Sequence, residues 1–111
     1  MRRHKYGARK TEVGGILFDS KKEAARYQEL RLLEKAGEIH DLRLQVPFEL
    51  QPKFRKNGKT WRAVTYIADF VYLTKEGEEV IEDVKGMRTD VYRLKRKMFE
   101  YQFDDKTIKE I

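Results

Sequence analysis

Cysteine is absent from this 111-residue chain, and so is any long run of apolar residues. Without cysteine there can be no disulfide framework, no thiolate zinc site and no cysteine nucleophile. No apolar segment approaches the roughly 20 residues that a membrane-spanning helix needs, and the basic start MRRHKYGARK is not followed by the apolar stretch of a secretion signal. We therefore expect a cytoplasmic protein with no membrane partner.

Charge is abundant and biased towards positive. The sequence contains 25 Lys and Arg against 19 Asp and Glu, which gives a formal net charge of +6. Its apolar residues fall in periodic segments, so we expect one folded domain over 1–111, with a basic arm at 1–12 that can follow a phosphate backbone. A positive surplus favours polyanionic partners and predicts nucleic acid; the alternative is charge that serves only solubility.

Turn and capping signals divide the first half of the chain. Gly14 and Gly15 favour a small hairpin within 13–18. Ser20 followed by Glu23 is a capping-box pattern, which predicts a helix that stops at Gly37. The alternating residues that follow, 38–51, predict a strand, and Pro47 places it at an edge or a bulge.

The second half predicts two more strands, a helix and a last strand. A turn at Asn57-Gly58 leads into an apolar strand, 61–73, suited to cover on both faces. A turn at 75–77 leads into a shorter strand that ends at Gly86. Thr89 or Asp90 can cap a second helix, and TIKEI forms the last strand. The apolar stripe of that helix, at helical spacing, comprises Val91, Leu94, Met98 and Tyr101. The predicted order is helix, three strands, helix, strand.

Asp69 is a lone acid within YIADFVY, a segment otherwise suited to burial. An unpaired carboxylate is costly there, so a metal ion, a buried cation or a hydrogen-bonded turn must compensate it. If the two strands pair through the turn at 75–77, Asp69 and Asp83 become neighbours. Asp83 and Lys85 flank Val84 and project from one strand face, because side chains alternate with period two. The alternative is an Asp69–Lys85 salt bridge with a purely structural role.

Glu23 has two interpretations. A capping-box glutamate needs no catalytic role. Glu23 nevertheless shares a helical stripe with Tyr27 and Leu30, so it faces inward and can join the same site. Tyr66 and Tyr72 are placed by strand alternation on the face opposite Asp69, packed under a helix.

These residues resemble the PD-(D/E)XK nuclease superfamily. Ala68-Asp69 stands where the family has Pro-Asp, Asp83-Val84-Lys85 fits the (D/E)XK part, and Glu23 fits the acid often found on the first helix. The likeness covers the chain from Phe18 onward and is nearest to small phage-encoded members of uncharacterised function, less near to archaeal Holliday-junction resolvases and transposon end-cleaving endonucleases. Gly37-Glu38-Ile39, Leu44-Gln45 and Phe48-Glu49-Leu50 also look like that group. The departure is Ala68 in place of proline.

The resemblance implies a restriction-endonuclease-like αβββαβ core, an α/β fold whose mixed central sheet is flanked by helices. It implies a metal-dependent DNA endonuclease in which Asp69 and Asp83 hold Mg²⁺ or Mn²⁺, with the Val84 carbonyl and Glu23 as further ligands and Lys85 orienting water or stabilising the phosphate. A phage-encoded protein of this kind would act in the host cytoplasm, in replication or recombination.

Basic residues after the motif strand are candidates for phosphate contacts, or form a solvated helix face: Arg88, Arg93, Lys95, Arg96 and Lys97. A chain of this length has no separate recognition domain, so we expect selectivity for branched DNA, as in a junction resolvase, set by shape and by the geometry of a possible homodimer. The alternatives are a nicking or flap endonuclease, a catalytically inactive DNA-binding module on the same fold, and a scaffold whose charges are structural.

Overall fold

The computed structural model describes residues 10–85 and 88–111. The first described element is an antiparallel hairpin of β1 (Thr11–Val13) and β2 (Ile16–Phe18). It turns at Gly14 and Gly15, whose φ angles of 58° and 83° favour glycine. The predicted hairpin is confirmed, but the predicted arm is too long, because residues 11 and 12 pair in a strand. The rest of the arm, 1–9, lies outside the described residues.

Helix α1 spans Lys21–Lys35 and confirms the prediction for this segment. The Ser20 hydroxyl oxygen accepts the Glu23 N–H at 3.1 Å, as in a capping box, and Gly37 follows the helix with φ of 78°. Its buried face consists of Glu23, Ala24, Tyr27 and Leu30. The inward orientation predicted for Glu23 is therefore confirmed.

A mixed four-stranded sheet forms the centre of the fold. Its strands are β3 (Ile39–Gln51), β6 (Val64–Thr74), β7 (Glu79–Asp83) and β8 (Ile108–Glu110), in the spatial order β3-β6-β7-β8. β3, β6 and β7 pair antiparallel, and β8 joins β7 in parallel. The edge position of β3 explains why it tolerates Pro47, as predicted. The predicted order of elements is confirmed, although β7 ends before Gly86, which is itself outside the described residues.

Between β3 and β6 the chain forms a separate hairpin. Its strands, β4 (Phe54–Lys56) and β5 (Lys59–Trp61), pair with each other and with no other strand of the described part of the chain. Asn57 and Gly58 both have positive φ angles, 53° and 74°, the geometry of a tight type I′ turn. The predicted turn is confirmed, but the strand predicted from residue 61 begins at Val64.

Helix α2, Asp90–Gln102, packs on the opposite face of the sheet from α1. Thr89 caps it by accepting the Tyr92 N–H at 3.1 Å. Its buried residues are Tyr92 and Phe99. The predicted stripe is therefore wrong: Val91, Leu94 and Tyr101 are 63%, 59% and 87% exposed, and only Met98 packs against the core. Two large aromatic rings seven residues apart fill the space under α2, which turns the aliphatic stripe outward.

Strand alternation changes face in the middle of the sheet. On β3, Leu44 packs in the core under α1 and Val46 packs in the core under α2, although regular alternation would place residues two apart on the same face. On β6, Ala68 and Phe70 divide in the same way. Gln45 lies between the first two and has a φ of 53°, a left-handed conformation that rotates the chain and reverses the facing of later residues.

Candidate active site

Asp69 and Asp83 meet where the pairing of β6 with β7 stops. Phe70 pairs with Glu82. The next step of this register places Asp69 opposite Asp83, which confirms that the strands bring the two acids together. Beyond this point β6 pairs, among the described residues, with β3 alone, so the carboxylates lie at an opening in the sheet.

Asp69 is partly buried among other acids. Its Oδ2 accepts the Val84 N–H at 2.8 Å. Burial raises the pKa of Asp69 to about 8: the Val84 N–H lowers it, but the negative charges of Glu23 and Asp83 raise it further. Without a cation, this carboxyl group therefore binds a proton near neutral pH.

Asp83 is almost fully buried and contacts both Tyr66 and Lys85. Its Oδ2 accepts the Tyr66 hydroxyl at 2.6 Å, and the Lys85 Nζ lies 3.0 Å from its Oδ1. The Lys85 ammonium also lies 4.0 Å from the centre of the Tyr92 ring. Asp83 and Lys85 thus share one face, as predicted, but the ion pair joins Lys85 to Asp83 and not to Asp69.

Glu23 serves both the helix end and the site. Its carboxylate accepts the backbone N–H of Asp19, the residue before the N-cap Ser20, whereas a capping-box glutamate reaches the N-cap residue itself. The side-chain amide nitrogen of Gln45 donates hydrogen bonds to Glu23 Oε2 at 3.2 Å and to Asp69 Oδ1 at 3.4 Å. It thereby links Glu23 on α1 to Asp69 on β6. Burial raises the pKa of Glu23, with the charges of Asp19 and Asp83 adding to this effect. A cleft of about 240 Å³ opens beside Glu23 and Gln45.

The carboxylate oxygens of the site are the kind of ligand that a hard divalent cation prefers. Glu23, Asp69 and Asp83 present carboxylate oxygens whose charges repel one another, and an oxygen-preferring cation would relieve that repulsion. Within residues 10–85 and 88–111, however, no group of three or more acids or histidines is gathered closely enough to hold a metal. Metal binding would need the Lys85 ammonium to move from Asp83 and the Gln45 amide to move from Asp69. Val84 lies between the motif residues, and its carbonyl as a ligand stays a prediction.

Two of the residues predicted to contact phosphate form ion pairs with an acidic side chain. Arg88 and Arg96 lie 2.6 Å and 2.9 Å from the Glu110 carboxylate, which also accepts the Tyr92 hydroxyl at 2.7 Å. The hydrogen bond from Tyr92 lowers the pKa of Glu110 most strongly, and the positive charges of Arg96 and Arg88 lower it further. The other candidates lie along α2: Arg93 is 3.7 Å from Asp90, Lys95 is half-buried and Lys97 is exposed. Their role in phosphate binding stays a prediction.

A second buried acid next to Asp83 was missed by the sequence interpretation. Glu82 is completely buried and accepts two hydrogen bonds from Arg26, at 2.8 Å and 2.6 Å, and a third from the Tyr72 hydroxyl. The hydrogen bond with Glu82 raises the pKa of Arg26. Glu82 faces α1, whereas Asp83 faces α2, so alternation along β7 separates the ion pair from the site.

Gln45 and Tyr66 are the site residues that sequence reasoning overlooked. Tyr66 and Tyr72 are both buried under helices, as predicted, but under different ones, and Tyr66 contacts Asp83. The assignment of Tyr66 to the face away from the site is wrong, because β6 changes facing between Ala68 and Phe70, which alternation does not predict. On β3 the change of facing coincides with Gln45, and a non-glycine residue at positive φ leaves no clear signal in a sequence.

The fold and the site define an α/β protein with a mixed sheet between two helices and a cluster of interacting carboxylates at the opening of that sheet. The model of the DUF1064 family, described as a protein of unknown function, matches residues 3–111, so the chain belongs to this family. No curated protein and no solved structure matches it. Neither helix of the described part is long and apolar enough to cross a membrane.

The pKa of Asp69 predicts how the stability of the metal-free protein depends on pH. A carboxyl group with a pKa of about 8 in the folded chain and about 4 in the unfolded chain holds its proton more tightly when folded. Its contribution to stability is complete below about pH 4 and is lost as the pH rises through about 8. We expect the thermal midpoint in EDTA to fall from about pH 5 to about pH 9.

The matched variant for this prediction is Asp69→Asn, which keeps an acceptor for the Val84 N–H without the charge. We expect its profile to be flatter and its midpoint at high pH to be higher by about 4–8 °C, the effect of ~1 kcal/mol in a domain of this size. Excess Mg²⁺ should raise the wild-type midpoint most at high pH and leave the variant unchanged. Parallel pH profiles for the two proteins would contradict the assignment.

Proposed function

We propose that this protein is a metal-dependent endonuclease that hydrolyses phosphodiester bonds in DNA. The observation that carries the proposal is the meeting of three interacting carboxylates, Glu23, Asp69 and Asp83, with the Lys85 ammonium beside them. Mutually repelling acids destabilise a fold unless a cation compensates them. The restriction-endonuclease-like αβββαβ core belongs to the same proposal, supported by the order of the elements and by the resemblance of the motif residues.

Each side chain of the site has a role in this chemistry. A bound Mg²⁺ or Mn²⁺ ion would lower the pKa of water and neutralise charge on the phosphate. Asp69 and Asp83 would hold that ion, with Glu23 as a third acid and the Val84 carbonyl as a further oxygen. Lys85, freed from Asp83, would donate hydrogen bonds to the attacked phosphate or to the attacking water. Tyr66 would fix the Asp83 carboxylate through its hydroxyl.

The proposed substrate is branched DNA, as for a junction resolvase in phage replication or recombination. Selectivity would come from DNA shape and from a homodimer that presents two sites. A nick or a flap cut is the alternative task for the same site. A catalytically inactive DNA-binding module is a second candidate, favoured by one observation: both oxygens of Asp83 already have protein partners.

The test is a cleavage panel. Wild-type protein is incubated with end-labelled duplex, flap, fork and four-way-junction DNA, in Mg²⁺, in Mn²⁺ or in EDTA. We expect cleavage in either metal, none in EDTA, and the highest rate on the branched substrates. If the protein binds these DNAs but cuts none in any metal, the endonuclease proposal fails and the binding module replaces it.

Glu23 provides a separate prediction, because its two roles can be divided by mutation. Glu23→Gln keeps an acceptor for the Asp19 N–H but removes the charge, so we expect little loss of stability and a 10- to 100-fold loss of cleavage, roughly the effect of removing a metal-site partner. Ser20→Ala removes only the cap and should cost about 1 kcal/mol of stability without changing the cleavage rate of the folded protein. The measurements are thermal unfolding and initial cleavage rates. Equal cleavage by Glu23→Gln and wild type would assign Glu23 to the cap alone.

A further inference from the structure

The β4–β5 hairpin carries a concentrated positive charge. Between Glu49 and Asp69 the sequence has no acidic residue, and it has five basic ones: Lys53, Arg55, Lys56, Lys59 and Arg62. All six residues of the two strands are exposed, and the strands form a two-stranded sheet of their own. Elsewhere the protein pairs many of its cations with carboxylates, for example Arg88 and Arg96 with Glu110. Here the cations have no acidic neighbour in the segment, which makes the hairpin complementary to a polyanion.

Two aromatic rings stand among these cations. Phe54 and Trp61 are cross-strand partners whose rings stack at 6.0 Å between centroids and 10° between planes. They are 40% and 44% exposed, so neither contributes to the core. The Lys59 Nζ lies 4.2 Å from the centre of the Trp61 ring. Exposed flat rings interleaved with cations are the surface on which single-stranded nucleic acids bind, because the bases stack and the phosphates pair.

We propose that the β4–β5 hairpin is a binding arm for single-stranded DNA. Its cations contact the phosphates, and the Phe54–Trp61 pair stacks with an unpaired base. Paired bases inside a duplex leave no free ring face for such stacking, so the arm selects unpaired segments. The choice of DNA as the nucleic acid rests on the proposed function; the binding mode rests on the hairpin itself.

The hairpin is also joined to β6, a strand of the candidate site. It follows the last β3–β6 pair, Gln51 with Val64. Asp69 is five residues further along β6, which corresponds to roughly 17 Å at the rise of a strand. A DNA strand held at the base of the arm would therefore have to span about this distance to reach the carboxylates. The arm would favour cleavage near a junction between paired and unpaired DNA.

The single tryptophan of the chain makes the proposal measurable, since Trp61 is the only one. Wild-type protein in EDTA is titrated with a thymidine oligonucleotide, a matched duplex and heparin while Trp61 fluorescence is recorded. We expect quenching by the oligonucleotide, with smaller changes for the duplex and for heparin, which offers charge without bases. In a filter-binding assay Phe54→Ala should weaken oligonucleotide binding about 5- to 100-fold, the effect of one lost base stack.

Paired charge variants supply the control. Lys53→Ser with Lys56→Ser should reduce the salt dependence of oligonucleotide binding by about 1.4 logarithmic units per decade, as expected for two lost phosphate contacts. Lys35→Ser with Lys75→Ser removes the same charge from the end of α1 and from the turn after β6, and should change it little. Circular dichroism checks that each variant is folded.

Three outcomes would overturn the arm: unchanged Trp61 fluorescence, quenching by heparin equal to that by the oligonucleotide, or equal losses in the two charge variants. Because these titrations contain no metal, they are independent of catalysis. If the protein binds the oligonucleotide as described but never cuts DNA, the binding arm is supported and the endonuclease proposal fails. If the wild type cuts DNA but the two charge variants bind the oligonucleotide equally well, only the proposal of the binding arm is overturned.

Discussion

Asp83→Asn is expected to lower metal-dependent DNA cleavage by at least about 10³-fold while the chain stays folded. A divalent ion contributes several kcal/mol of transition-state stabilisation, and each 1.36 kcal/mol corresponds to a factor of about ten in rate. Asparagine has the size of aspartate and can still accept the Tyr66 hydroxyl, but it brings no negative charge to a cation. The measurement is the single-turnover rate on whichever DNA the wild type cuts fastest, at saturating Mg²⁺.

The control for this prediction is Asp105→Asn, which removes one exposed carboxylate between α2 and β8 and should leave the rate unchanged. Thermal unfolding of both variants separates a lost ligand from a lost fold. A rate within tenfold of wild type in folded Asp83→Asn would remove this residue from the metal site. It would leave the Asp83–Lys85 contact as an ordinary ion pair.

The elements of the fold were accessible from the sequence wherever local chemistry decides them. Ser20 and Thr89 mark helix starts by the hydrogen bonds they accept, and Asn57-Gly58 marks a turn that needs positive φ angles. The buried face of α2 was not accessible, because it depends on which side chains fill the space over the sheet. Tyr92 and Phe99 fill it, and the aliphatic residues beside them remain at the surface.

The site was accessible in part for a similar reason. Strand register determines that Asp69 meets Asp83, and a two-residue spacing places Lys85 beside Asp83. The contributions of Gln45 and Tyr66 depend on a left-handed residue in the middle of β3 and on a change of facing in the middle of β6, which no periodicity reports. The sequence therefore predicted the charged residues of the site better than the neutral ones that orient them.

Glu82 and Arg26 provide a second large prediction, this time for stability. Glu82 is completely buried, and Arg26 is its only cationic partner among the described contacts. Arg26→Met would leave an uncompensated buried carboxylate, which costs about 3–5 kcal/mol. We expect the thermal midpoint to fall by at least ~12 °C, at ~4 °C for each kcal/mol. The measurement is thermal unfolding at neutral pH.

Removing the whole buried network should restore what the single substitution loses. Replacing Arg26 by Met, Glu82 by Leu and Tyr72 by Phe deletes the ion pair together with the hydroxyl that donates to it. Exchanging a buried pair for apolar side chains of similar volume is often neutral or stabilising, so we expect a midpoint near that of wild type.

The same variant decides which of the two adjacent acids of β7 serves the chemistry. If Glu82 only stabilises the contact between α1 and the sheet, the triple variant should still cut DNA at close to the wild-type rate. Loss of cleavage in a fully folded triple variant would instead assign a catalytic role to Glu82, and the ion pair with Arg26 would then be the resting state of a functional carboxylate.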